Sequence, residues 1–262
     1  MLRPVIMIGC GGSGQKAVRY VRAAVKRKLE HTHWEGGIPA AWQFIGLDTL
    51  NTQEAPGEIP TMPASDYKSI SLNFQTFSEL TDALLARHTP QERRGYAEMI
   101  GWRPKPQEVV VPLRSGAGQM RAVGRTAGVV ALGTVVRPRL EEAFTACKSG
   151  GPELQQISEH LQISVPPGTP TPDPIVVVLG SMAGGTGAGI LLDVIDLLRR
   201  ITKHVVEDLG IVFPKVSRFQ RGIMLEVRKA QRHPRNCGYR YARPDPKITH
   251  GGYTASHDGC IR

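Results

Sequence analysis

No apolar run in the 262 residues approaches the roughly 20 that a membrane-crossing helix needs. The opening run Pro4 to Cys10 is too short for a signal-peptide core and leads straight into glycines. The expectation is a cytoplasmic protein. Cysteine is scarce and scattered: Cys10, Cys147, Cys237 and Cys260 form no C-x-x-C pair. His233, His250 and His257 lie near the last two, but the spacing matches no standard zinc finger, so free thiols are expected and no metal site is assigned. No Gly-x-Ser-x-Gly elbow supports a serine hydrolase. Acidic residues are short at one end only. Residues 215–262 hold 11 basic and 3 acidic side chains, so most of the net charge of +10 lies there. A nucleic-acid reading from whole-chain charge would therefore mislead.

What is present is globular: 40% apolar and 21% charged residues, in a chain long enough for a real core. Val5 to Ile8 is a short β-type run. Gly9, Gly11, Gly12 and Gly14 follow, and Ala17, Val18, Val21, Ala24 and Val25 then recur at helical spacing. Trp42 to Leu47 reads as a second strand ending at Asp48-Thr49. Asn51 to about Ser65 is irregular, and Phe77 to Trp102 is mostly helical with a break at Thr89-Pro90. Val109 to Leu113 reads as a third strand that meets a glycine-rich loop, Ser115 to Gly124. The helix after it should kink at Pro138. Glu153 to Ile163 is helical, and five prolines between Val165 and Pro174 make a stiff linker. Ile175 to Leu179 is the most hydrophobic strand and enters a third loop, Gly180 to Gly189. A helix follows, then a short strand at Gly210 to Phe213. Alternating strands and helices predict an α/β fold with a doubly wound, mostly parallel sheet. The predicted domain is residues 1–214. Residues 215–262 are expected to be a basic, disordered tail rich in Pro, Gly and Arg, with at most a turn at Met224 to Val227.

Three glycine loops between a strand and a helix gather at the carboxyl edge of such a sheet. There, backbone N–H groups and helix N-termini can approach phosphate oxygens. Gly9-x-Gly11-x-x-Gly14 alone fits a dinucleotide fingerprint, but the acidic partner expected about 20 residues on is displaced, since Asp48 lies well beyond it. A P-loop fits worse: Lys16 is one position late, and Ala17 stands where Ser or Thr should hold magnesium.

Together the loops resemble those of the tubulin and FtsZ superfamily of GTP-binding filament proteins. Ser181 to Gly189 looks like the GGGTG[ST]G signature, with Ala183 for its first glycine and Ala188 for its usual Ser or Thr. Ile8 to Val18 resembles the first phosphate loop of FtsZ, Phe44 to Thr49 the second strand with its short acidic loop, and Gly116-Ala117-Gly118 the loop facing the γ-phosphate. The resemblance covers about residues 1–213. It implies that Gly11, Gly12 and Ser13 hold phosphates through backbone N–H groups and that Gln15 reaches the base or ribose. By the same likeness Lys16 adds a cation, and Asp48 lies in the acidic loop at the site. Gly116, Ala117 and Gly118 would sense the γ-phosphate, with Arg125 beside them. Gly184, Gly185, Thr186, Gly187 and Gly189 would wrap the α- and β-phosphates. GTP and Mg2+ are the implied cofactors, and self-association or contact with full-length tubulin-like relatives the implied partnership.

The chain also departs from the family. No N-x-D-x-x-D acidic loop is found, and the family's central helix and second domain have no counterpart in the sequence. Asp193-x-x-Asp196 has the right carboxylate spacing but reads better as the polar side of a helix. Catalytic residues are therefore unassigned. The first expectation is a cytoskeletal filament subunit, or a truncated relative, that hydrolyses GTP only on assembly. The alternatives are a non-enzymatic nucleotide-binding regulator or capping fragment and, ranked last, a NAD- or FAD-binding Rossmann protein. The basic tail suggests weak contact with polyanions.

Overall fold

The computed structural model describes residues 1–55, 57–86, 102–110, 112–166, 168–203, 210–212 and 222–228. Four strands run parallel: β1 (Val5–Cys10), β2 (Trp42–Asp48), β3 (Tyr67–Ser69) and β4 (Ile175–Ser181). They lie side by side as β3-β2-β1-β4. Beyond β4 the sheet continues with β6 (Gly222–Arg228), antiparallel to β4, and then β5 (Gly210–Val212), antiparallel to β6. The α/β, mostly parallel architecture expected from the alternating pattern is present. The sheet extends past residue 214, because Gly222–Arg228 forms a strand where the sequence suggested only a turn. Met1–Ala230 is one compact unit, and Gln231–Arg262 lies outside the described residues, as does any zinc grouping at Cys237 and Cys260.

Both faces of the parallel strands are covered. Ile6, Ile8, Ile45, Leu47, Val176 and Val178 point into the larger core. Met7, Phe44 and Leu179, one residue out of phase, point to the other face, where α1 (Gly11–His31) packs through Val18. This two-sided burial is why the strands are apolar almost throughout.

The larger core is closed by α2 (Phe77–Ala86), α3 (Arg121–Ala131), α4 (Arg137–Ser149) and α6 (Gly185–Lys203). A short α5 (Gly151–His160) follows α4. Between α3 and α4 the kink expected at Pro138 takes the form of a π-helical turn, Leu132–Val136. A proline ring clashes with the carbonyl four residues earlier, and one wide turn relieves that clash without ending the helix.

The strand expected at Val109–Leu113 is absent from its described residues. Pro106–Glu108 and Leu113–Ser115 form single 3-10 turns, and Val110 is 88% exposed. Pro112 removes a ladder donor, and the place beside β2 is already taken by Tyr67–Ser69. The break expected at Thr89-Pro90 lies in residues 87–101, outside the described residues.

Helices α3 and α6 approach so closely that glycine is required at the crossing. A Cβ on Gly189 would lie 2.6 Å from the Arg125 amide nitrogen and 2.7 Å from the Arg121 carbonyl oxygen. Neither atom can move aside without shifting a helix. Gly189→Ala is expected to destabilise the chain by about 2 kcal/mol or more, as overpacking does. Gly133→Ala, where a Cβ meets nothing within 4 Å, should change stability by under about 0.5 kcal/mol. Urea unfolding midpoints of the two variants check the contrast.

Candidate functional site

The sheet register brings the loops to one place. Cys10 is level with Leu47 on one side and with Gly180 on the other, so β1, β2 and β4 end in line at the same edge. Cys10 to Ser13, Asp48 with Leu50, and Ser181 with Gly184 to Gly187 then line a single cavity of about 220 Å³. Gly116, Ala117 and Gly118, carried in by the turn before α3, complete its wall.

The first and third loops touch through glycine alone. Gly11 has φ +72°, and a Cβ there would lie 2.5 Å from the Gly187 nitrogen. Helices α1 and α6 both begin at this contact, at Gly11 and Gly185, and neither has an acidic residue in its first turn. No side chain caps the start of α1. The first N–H groups of a helix have no partner within it, so two positive helix ends face the same cavity.

A threonine ties the remaining loops together. The Thr49 hydroxyl accepts the Ala117 N–H at 3.1 Å and lies 2.8 Å from the Thr186 hydroxyl. The Gly185 N–H donates to the Gly118 carbonyl at 2.7 Å. Three chain segments are thereby fixed to one another within two residues of the cavity, and the Gly11–Gly187 contact adds the fourth.

The cavity wall contains no lysine or arginine. Its ionisable groups are Asp48 and Cys10. Asp48 is 3% exposed; one carboxylate oxygen, Oδ1, accepts the Thr49 N–H at 2.7 Å. The other, Oδ2, has no hydrogen-bond partner and faces Gly12. Burial pushes the Asp48 pKa up, opposed by hydrogen bonds from Thr49, Thr186 and Leu50. Burial, with the neighbouring Asp48 charge, pushes the Cys10 thiol up to about 12, so it stays neutral.

A family model described as "Tubulin like" matches residues 6–222. The chain belongs to the tubulin-like family. No curated protein and no solved structure gives a significant match. The matched span of this tubulin-like chain includes every loop at the cavity and extends to the start of β6.

Of the residues expected at a nucleotide site, Gly11, Gly12, Ser13, Asp48, Gly116, Ala117, Gly118, Gly184, Gly185, Thr186 and Gly187 line the cavity. Four other predicted residues do not. Gln15 is fully buried against β2, close to Gly46, with both amide atoms unpartnered. Lys16 points outward to an exposed ion pair with Glu54 at 3.9 Å. Arg125 is held by Asp193 at 3.1 and 3.3 Å and covers the Trp102 ring at 5.0 Å. Gly189 serves the α3–α6 crossing described above. Conversely, Thr49, Cys10, Leu50 and Ser181 were not singled out in the sequence. Thr49 was legible only as the residue beside Asp48 at the end of a strand.

The Asp48 shift has a sign that can be tested. A carboxyl whose folded-state pKa is raised holds its proton longer in the folded than in the unfolded chain. Stability of the ligand-free protein should therefore fall as pH rises from near the ordinary value of 3.8 through the raised value, then level off. Asp48→Asn should remove that part of the slope and melt higher than wild type at neutral pH. Thermal melts of both proteins across pH check it. An unchanged slope in the variant would assign the pH dependence elsewhere.

Proposed function

We propose that the cavity holds the phosphates of a nucleoside triphosphate, GTP by family. The observation that carries this reading is the meeting of two helix starts, neither with an acidic residue in its first turn, and the Gly116–Gly118 turn on one small cavity. Oriented N–H groups in such a cradle bind phosphate oxygens without a cationic side chain. Gly11, Gly12 and Ser13 would act from α1, Gly116 to Gly118 from the turn before α3, and Gly184 to Gly187 from α6. Thr186 would add a hydroxyl. A nicotinamide or flavin reading uses only the first loop and leaves the other two without a role.

Magnesium fits the same site. The unpartnered Asp48 Oδ2 is a hard oxygen ligand at the cavity wall, which suits a cation that keeps most of its own waters. When bound, magnesium would offset phosphate charge and make the buried carboxylate favourable. The Thr49 N–H fixes the Asp48 carboxylate through Oδ1, and the Thr49 hydroxyl ties the third loop, at Thr186, to the end of β2.

The chain holds nucleotide without a hydrolytic carboxylate of its own in this reading. Asp193 is paired with Arg125, and Asp196 with Arg200 at 2.9 Å, so the one pair of carboxylates at family spacing is committed to α6 and its neighbours. Turnover would need an acidic group from another subunit. Self-association in the manner of tubulin-like proteins is the corresponding proposal for partnership. Pelleting with GTP, GDP or no nucleotide, followed alongside phosphate release, tests it. Release by the dilute chain at the rate seen in a pellet would overturn the shared-site reading.

Gly184 separates binding from folding. A Cβ there meets nothing within 4 Å, so a side chain would project into open space at the cavity. Gly184→Val should leave the melting temperature of the ligand-free chain within about 2 °C, since surface changes rarely exceed about 0.5 kcal/mol. It should weaken GTP binding at least tenfold in a fluorescent-nucleotide titration. Asp48→Asn should weaken GTP binding mainly in the presence of magnesium. Saturable binding of NADH that GTP does not displace would overturn the reading.

A further inference from the structure

A second cavity, of about 210 Å³, lies between one face of α1 and the loop that leads from β2 to β3. It shares no lining residue with the phosphate cavity. Its helix side is Arg19, Arg22, Ala23, Lys26, Arg27 and Glu30, the i, i+3, i+4 spacing of a single helix face. Its loop side is mostly apolar, with Ile59, Pro60 and Met62.

The four cations are poorly neutralised. Arg19 is 5% exposed, and its hydrogen bonds run to two neutral carbonyls, Ile59 at 2.8 Å and Pro60 at 3.3 Å. No carboxylate among the described residues lies within ion-pair distance of it. Arg22 reaches Asp66 only at 3.8 Å, and Asp66 is shared with the buried Arg139 at 3.3 Å. Lys26 meets Glu30 at 3.7 Å in an exposed pair, and Arg27 has no ionic partner among the described residues. A cation with reduced access to water, backed by others on the same face, favours an anion more strongly than free surface charges do.

We propose that this groove binds a small organic phosphate monoester. The phosphate would sit among the guanidinium forks and Lys26, which match its geometry and charge. The organic part would lie on Ile59, Pro60 and Met62, since small-ligand sites combine apolar walls with a few placed polar groups. The size and the two carboxylates in the lining, Glu30 and Glu58, select against an extended polyanion, which needs an unbroken basic track. The groove is independent of the nucleotide reading and stands or falls separately.

The probe is phenyl phosphate, titrated calorimetrically into the full chain. Saturable binding is expected. The double variant Lys26→Gln/Arg27→Gln changes exposed side chains and should fold normally, as a thermal melt verifies; it should weaken binding at least tenfold. Glu58→Gln should strengthen binding about threefold. Gly184→Val, which blocks the other cavity, should leave the affinity within twofold. The proposal is overturned if phenyl phosphate gives no saturable heat, or if Gly184→Val abolishes binding while the double variant does not. Inorganic phosphate binding as tightly would remove the role of the apolar wall. Heparin binding more tightly, with the same dependence on Lys26 and Arg27, would replace the small ligand with a polyanion.

Discussion

Backbone contact without an intervening side chain is the constraint on which this molecule depends. The turn after β1 and the turn after β4 meet at Gly11 and Gly187, where a single added carbon would sit 2.5 Å from a backbone nitrogen. The same holds at Gly185, whose Cβ would lie 2.7 Å from the Ala117 carbonyl oxygen. Side chains at these positions would push apart the two strand-to-helix crossovers that the parallel sheet already brings to one edge and the Gly116–Gly118 turn that packs on them. The sheet supplies the alignment, and the glycines supply the last few ångströms. Because the colliding atoms are backbone rather than flexible side chains, the loops cannot yield locally. The shape of the cavity is therefore fixed by the packing of α1, α3 and α6, not by the loops alone.

On that frame Thr49 does work that glycine cannot. Its hydroxyl bridges Ala117 and Thr186, which belong to different crossovers, and its N–H anchors the Asp48 carboxylate. A buried hydroxyl with both functions satisfied rigidifies its surroundings, whereas one left unpaired costs stability. The arrangement leaves Asp48 Oδ2 as the one unpartnered carboxylate oxygen among the buried side chains described. The fold thus holds an acidic oxygen in place, at some cost, beside the first turn of α1.

Much of this was legible in the sequence. The strands β1, β2 and β4, the helices after β1 and β4, and the mostly parallel sheet follow from apolar periodicity and from glycine at each crossover, whereas the short strand Tyr67–Ser69 carried no such signal. What was not legible depends on tertiary neighbours. Val109 to Leu113 has a strand's composition, but its prolines and the competing pairing of Tyr67–Ser69 with β2 leave it irregular. Gly222–Arg228 lies in an Arg-rich segment and pairs because β4 offers it an edge. Lys16 and Arg125 follow phosphate-type loops in the sequence, yet helical geometry turns each of them away, toward Glu54 and Asp193. Position after a glycine loop says where a backbone goes, not where a long side chain points. Gln15 shows the reverse: it lies inward, against β2, because the second turn of α1 buries that face.

The two cavities on α1 differ in how they could attract an anion, and the difference bears on ligand choice. The groove beside Arg19 has charged side chains, so its attraction is to net charge and is screened by salt. The cavity at Gly11 has no cationic side chain. Its wall offers dipoles, a thiol kept neutral by burial, and a carboxylate that repels anions when ionised. A bare phosphate entering there would meet Asp48 across Gly12 with no cation to offset the repulsion. An anion that arrives with its own divalent cation meets no such penalty, because Asp48 Oδ2 then faces positive charge. On the proposed reading the cavity would discriminate by partnership rather than by charge: free phosphate and nucleotide stripped of metal would be disfavoured, and a metal-complexed polyphosphate preferred. The same carboxylate that destabilises the empty site would supply the specificity of the filled one.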